Sequence, residues 1–160
     1  MITTTFWKGD VLYEIVDGLL RREVPRRNGV ARFWHANGIL EKEMCMVNGV
    51  ADGVVREWHA NGNVLRETPY KNGAVDGVVS QWNSEGKLLG QYTLSAGLGV
   101  QRKWNEDGTL SLEVEIVNEG CHRGTVWDDK GRARKVYLWN GRPVSKGRFE
   151  AKIAEKSIKP

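Results

Sequence analysis

Two histidines occupy the same place in a recurring pattern, His35 and His59, each directly after a tryptophan. Imidazole is a frequent metal ligand and a base near neutral pH. If the pattern is a series of β-hairpins, equivalent positions lie two strands apart, about 10 Å, whereas two ligands of one zinc must each approach it to about 2 Å. Spacing therefore excludes a shared metal, and both are expected to be exposed turn residues. Carboxylates come in close pairs, Glu41 with Glu43, Glu113 with Glu115 and Asp128 with Asp129, the raw material of acid–base work. None is accompanied by a histidine, a distant second carboxylate or a pocket-forming insertion, so they read as solvated charge. Ser80, Ser84, Ser95, Ser111, Ser145 and Ser157 lack a nucleophile elbow, and Cys45 has no neighbouring histidine signature. Cys45 and Cys121 show neither metal-ligand spacing nor a CxxC pair, which predicts reduced thiols. No cofactor, no metal and no enzymatic activity are expected; the expected function is binding.

What must position any binding surface is a repeat. Five of the seven tryptophans, Trp34, Trp58, Trp82, Trp104 and Trp127, follow one another at 24, 24, 22 and 23 residues, a period that marks a repeat architecture. Gly38, Gly62, Gly86, Gly108 and Gly131 each come four residues after a tryptophan, and Gly29, Gly53, Gly77 and Gly99 come five before one, giving G-x4-W-x3-G. A glycine closing a short polar loop suits a three-residue hairpin, a type I turn followed by a residue at positive φ. That turn sets Trp34 opposite Leu40, Trp58 opposite Val64, Trp82 opposite Leu88, Trp104 opposite Leu110 and Trp127 opposite Ala133. Asn48-Gly49 and Asn72-Gly73 then turn the chain back into the next unit.

Strand follows strand with no helix between, which predicts an all-β fold: an elongated antiparallel meander of stacked β-hairpin repeats with a short C-terminal helix. Three parts are expected. Residues 1–27 hold a capping hairpin turning at Asp17-Gly18, residues 28–141 the five repeats, and residues 142–160 a basic tail whose Phe149 and Ile153 fit a helix over 149–159. Period-two alternation places the tryptophans on an apolar face with Met44, Met46, Tyr92, Leu94, Val114 and Ile116, and adds Arg32, Arg56 and Arg102 to that face as covers of the rings. The other face then carries Phe33, Glu57, Gln81 and Lys103 together with an acidic stripe, Glu43, Glu67, Gln91 and Glu113, beside Leu65 and Leu89. Charge around a small apolar centre is the composition of a protein-binding surface, so Glu43, Glu57, Leu65, Glu67, Leu89, Gln91 and Glu113 are the candidate partner-binding residues.

Charge distribution bears on the partner. The chain carries a net +4, but residues 130–160 hold ten basic and two acidic residues, a local +8 that leaves −4 for the rest. An acidic body argues against nucleic acid and for a basic partner surface. No long apolar run and no signal-peptide pattern occurs, so a soluble, cytoplasmic protein with no membrane partner is expected.

The consensus G-x4-W-x3-G, with an apolar residue two beyond its last glycine and Asn-Gly before the next unit, resembles the bacterial variant of the MORN repeat, as in YwqK-type antitoxin and immunity proteins. The resemblance spans residues 28–141. It implies a β-hairpin array that binds a cognate protein toxin and occludes its active site; a structural or adaptor role through the same repeat face is the alternative. The last unit departs from the pattern, with Gly124 only three residues before Trp127. The Tyr-x-Gly pattern of eukaryotic MORN repeats, and with it their lipid-binding and scaffolding roles, is not matched.

Overall fold

A computed structural model describes residues 1–118 and 120–157 of the 160-residue chain. Among these residues, sixteen strands form one antiparallel sheet. Before the first repeat come β1 (Thr3–Lys8), β2 (Val11–Val16) and β3 (Leu19–Pro25). The first hairpin is β4 (Gly29–Trp34) with β5 (Leu40–Val47). The second is β6 (Val50–Ala51) and β7 (Gly53–Trp58) with β8 (Val64–Lys71), and the third β9 (Ala74–Val75) and β10 (Gly77–Trp82) with β11 (Leu88–Ser95). Then follow β12 (Leu98–Trp104) with β13 (Leu110–Asn118), β14 (Cys121–Trp127) with β15 (Ala133–Trp139), the short β16 (Arg142–Pro143) and α1 (Lys146–Ser157). Fourteen strands lie along one meandering path, with β6 and β9 pairing beside it. At about 4.8 Å per strand the path is about 60 Å long.

Each hairpin closes as its residues dictate. His35 N–H donates to the Ile39 carbonyl and Gly38 N–H to the His35 carbonyl, with Gly38 at φ +84°, and the other four loops repeat both bonds. This is the expected type I turn with a glycine at positive φ. The five tryptophan pairings are those expected from the loop length. Between hairpins, Asn48-Gly49, Asn72-Gly73 and Ala96-Gly97 have two consecutive positive φ values, the geometry whose twist matches the strands it joins. In the first three repeats, the side chain of the residue before the first glycine fastens this turn to the preceding one. Asn28 Oδ1 accepts from Asn48 N–H at 2.8 Å, Asp52 Oδ2 from Asn72 N–H at 3.0 Å and Asp76 Oδ1 from Ala96 N–H at 3.2 Å.

In four of the hairpins the register shifts by one residue just before the tryptophan; the fifth keeps an unbroken register. The extra residues are Glu41, Leu65, Leu89 and Ser111, each left without a cross-strand partner. Such a bulge bends its strand and redirects the side chains beyond it. Two faces result, since cross-strand partners share a face. The inner face carries Ala31, Val55, Val79, Tyr92, Leu94 and Val114, all buried. The outer face carries the row Arg32, Glu43, Arg56, Glu67, Ser80 and Gln91, each directly opposite the next.

A single layer cannot enclose large rings on both sides. The tryptophan row, expected as the core, is half-buried; the fully enclosed residues are smaller, with Val79, Tyr92 and Leu94 at the centre and Trp104 packed against them. On the outer face of β15, α1 supplies the missing layer. Phe149 is buried with its ring 5.5 Å from that of Tyr137, and Lys152 Nζ lies 4.7 Å from the Trp139 ring centre. Cys121, the strand partner of Trp139, is fully buried. Ser145 opens the helix, its Oγ accepting from Arg148 N–H at 3.4 Å, a cap that moves the start three residues ahead of the expected 149. Positions 158 and 159 of the expected helix, and the end of the 142–160 tail, lie outside the described residues.

Candidate functional site

The bulges decide which charges meet. Counted back from the tryptophans by strict alternation, Arg32, Arg56 and Arg102 belong with the rings; in the structure they lie across from Glu43, Glu67 and Glu113. Arg32 Nε donates to Glu43 Oε2 at 2.8 Å and its Nη1 to Glu23 Oε1 at 2.7 Å. Arg56 Nε reaches Glu67 Oε1 at 2.7 Å, and Arg102 Nε reaches Glu113 Oε2 at 2.9 Å. Toward the C-terminus, Arg123 Nε donates to Glu115 Oε2 at 2.6 Å. The hydrogen bond that Arg32 donates to Glu43, then that to Glu23, raises its pKa above the ordinary guanidinium value, and the bond to Glu67 does the same for Arg56. The acidic stripe is therefore one half of an alternating ladder, with its charge balanced in place.

The candidate partner-binding residues consequently do not form one patch. Glu43, Glu67, Gln91 and Glu113 are together on the outer face, where Gln91 Nε2 donates to Ser80 Oγ at 2.8 Å. Glu57 is on the inner face, opposite Lys42 and Arg66, as are Phe33, Gln81 and Lys103, the other members of its row. Leu65 and Leu89 sit at bulges, half-buried. Leu65 lines a small cleft of about 190 Å³ with Phe33, His35, Lys42, Glu57 and Trp58, which unites it with Glu57 and separates both from the outer stripe. One missed bulge per hairpin accounts for the whole exchange of rows.

Strong curvature creates a second cleft of about 240 Å³ in the inner face, lined by residues from β5 to β13. Six strand spacings separate those two strands, about 29 Å on a flat sheet, so only a curled sheet brings Lys42 and Ile116 to one hollow. Its polar lining comprises Lys42, Glu57, Arg66, Thr68, Tyr70, Tyr92 and Gln101. Burial raises the Tyr92 phenol pKa, opposed in part by the Arg66 charge and a hydrogen bond with Gln101, so the group is a neutral donor at physiological pH. Lys42 Nζ lies 3.7 Å from Glu57 Oε1. Aromatic hydroxyls, one ion pair and a guanidinium surround an apolar floor of Val55 and Leu94, the mixed composition that protein interfaces share. Sequence reasoning missed this group. Lys42 and Arg66 share a repeat position, but strict alternation from the tryptophans conceals that Glu57 and Gln101 lie on the same face as they do.

The histidines are not exposed turn residues. His35 Nε2 is 2.8 Å from the Trp58 carbonyl oxygen and His59 Nε2 is 3.1 Å from that of Trp82. Each ring is a half-buried bridge to the next hairpin. In the third hairpin the bridge comes from Gln81, two residues earlier in its unit, whose Nε2 donates to the Trp104 carbonyl at 2.8 Å. These contacts fix the pitch at which successive tryptophans stack along the sheet, and so the shape of the inner face.

Two adjacent 22-residue segments, residues 27–48 and 51–72, match the family model described as a MORN repeat variant. They contain the first two hairpins, and the third and fourth hairpins continue the same turn, register shift and tryptophan pairing. No curated protein matches this chain, and no solved structure matches it.

Proposed function

We propose that this chain is a protein-binding repeat scaffold whose partner is a protein toxin, neutralised when the curved sheet covers its active site. The observation that carries the binding role is the inner face. Equivalent positions of successive hairpins are held at fixed pitch around one hollow, the kind of concave surface through which repeat arrays engage protein partners. The match of two units to the MORN repeat variant supports interaction through repeats. The toxin assignment rests on the resemblance of the repeat consensus to antitoxin and immunity proteins.

The test is co-expression with the product of the neighbouring reading frame. A neighbour whose expression alone arrests growth, whose toxicity the chain relieves, and which co-elutes with it at 1:1 is the expected result. A non-toxic neighbour that forms a stable complex would replace the toxin reading with the adaptor reading. Absence of any complex with neighbours, together with unrelieved toxicity, would end the proposal in both forms.

A further inference from the structure

We infer that the inner cleft receives a side-chain carboxylate from a loop of the partner protein, with Arg66 as its anchor; the inference rests on the protein-binding reading above. It comes from a contrast between two sets of arginines in one sheet. On the outer face, Arg32, Arg56, Arg102 and Arg123 each hold a carboxylate at 2.6 to 2.9 Å. Arg66 lies directly across from Glu57 in the strand register, yet Glu57 is engaged with Lys42. Among the described residues Arg66 makes one side-chain hydrogen bond, a long one of 3.4 Å from Nη2 to Gln81 Oε1. That acceptor is shared with Trp104 N–H. The Arg66 Nε is buried with no hydrogen-bond acceptor among the described residues.

A guanidinium is a fork of donors that matches a carboxylate in two parallel bonds. Here the fork borders a hollow of about 240 Å³ together with Tyr70, Tyr92 and Gln101, whose hydroxyl and amide groups offer further donors to an anion. Partial enclosure strengthens such a bond relative to water. Glu57, on the same wall, disfavours a dianion such as phosphate more than a single carboxylate. Shape points the same way, since an aspartate or glutamate on a protruding loop reaches into a concave face, whereas a flat acidic surface does not. The sign is opposite to that suggested by the acidic stripe, whose charges are already matched by their own arginines.

The probe is N-acetyl tetraglutamate amide, titrated into the full chain and followed by the Arg66 Nε–Hε resonance and the side-chain amide of Gln101. The inference expects saturable shifts at both, none with the tetraglutamine analogue, and binding at least tenfold weaker in Arg66→Gln. Arg66→Lys keeps the charge and loses the fork; it should bind with intermediate strength, and it serves as the reporter if Arg66→Gln unfolds. Shifts confined to the basic residues 130–157 and unchanged by Arg66→Gln would overturn the inference, as would inorganic phosphate displacing the peptide from Arg66 at equal concentration. Toxin neutralisation that survives Arg66→Gln would overturn the inference and leave the proposed function standing. Peptide binding at Arg66 without any toxic partner would do the reverse.

Discussion

Gly90 stands where the inner face is most crowded, and replacing it with alanine isolates a single steric contact. A methyl group built on its Cα would lie 2.8 Å from Cη2 of Trp104 and closer still to Cζ2 and Cε2, against the 3.5 to 4.0 Å at which carbons rest. Unlike the turn glycines, Gly90 does not lie at positive φ, so alanine suits its backbone and the whole cost falls on the ring. The ring cannot simply retreat, because it packs against Tyr92 at 6.3 Å between centres and against the buried Val79 and Leu94. Overpacking of this kind costs about 1 to 3 kcal/mol, offset by about 0.4 to 1 kcal/mol from the stiffer unfolded chain. A net loss of about 1 to 2 kcal/mol corresponds to a fall in Tm of about 2 to 8 °C at this chain length. Urea unfolding followed by tryptophan fluorescence measures it. In a Trp104→Leu background the same methyl should cost nothing, which makes the two changes strongly coupled. If Gly90→Ala matches the parent in the wild-type background, Trp104 does not lie over Gly90, and the inward turn of the tryptophan at the bulge is wrong.

Three further perturbations test other parts of the structure. Ala96 holds φ +47° at the position taken by Asn48 and Asn72 in the equivalent turns, so Ala96→Asn should stabilise by about 0.5 to 1 kcal/mol; a lower urea midpoint would show that the turn differs. Phe149→Ala should release α1 and open Cys121 to a maleimide in a Cys45→Ser background, where the parent stays protected; a thiol equally slow in both proteins would mean that the helix does not cover it. The triple variant Glu43→Lys, Glu67→Lys, Glu113→Lys turns three cross-strand attractions into repulsions, each exposed pair being worth about 0.2 to 1 kcal/mol. Its Tm should drop, and drop further at low salt, whereas a Tm unaffected by either would show that the ladder contributes nothing.

Everything in the hairpin that depends on loop length was legible in the sequence. The G-x4-W-x3-G spacing specifies a three-residue loop, and the loop specifies which residue stands across from each tryptophan. What depends on counting further along the strand was not. Leu65 and Leu89 look like ordinary alternating residues, and nothing in their type announces a bulge; one inserted residue then moves every position beyond it to the opposite face. That is why Glu57 and Glu67, ten residues apart and expected on one surface, lie on two. The strand β1 was missed because Thr-Thr-Thr-Phe-Trp-Lys shows no alternation, although β-branched and aromatic residues before Gly9-Asp10 are a strand signal. The bridging role of His35 and His59 required the pitch between hairpins, which no single unit contains.

The two faces also divide the labour of the fold. On the outer face the order Glu23, Arg32, Glu43, Arg56, Glu67 alternates in sign strand by strand. A slip of one residue in any pairing would bring these charges against residues of the other face, and a slip of two would break several ion pairs at once, so the ladder opposes both errors. With register held from outside and pitch held by His35, His59 and Gln81, the inner positions that directly follow the bulges are relieved of that duty. They are filled by Lys42, Arg66, Gly90 and Leu112, four residues with no common chemistry at one place in the repeat. A position that must specify the fold would be expected to repeat its residue type, as the arginine and glutamate positions do. One that changes from cation to glycine to leucine gives each hairpin a different inner surface, with Lys42 and Arg66 alone of the four lining the hollow, and such variation from hairpin to hairpin is what the proposed recognition of one irregular partner surface requires of a regular scaffold.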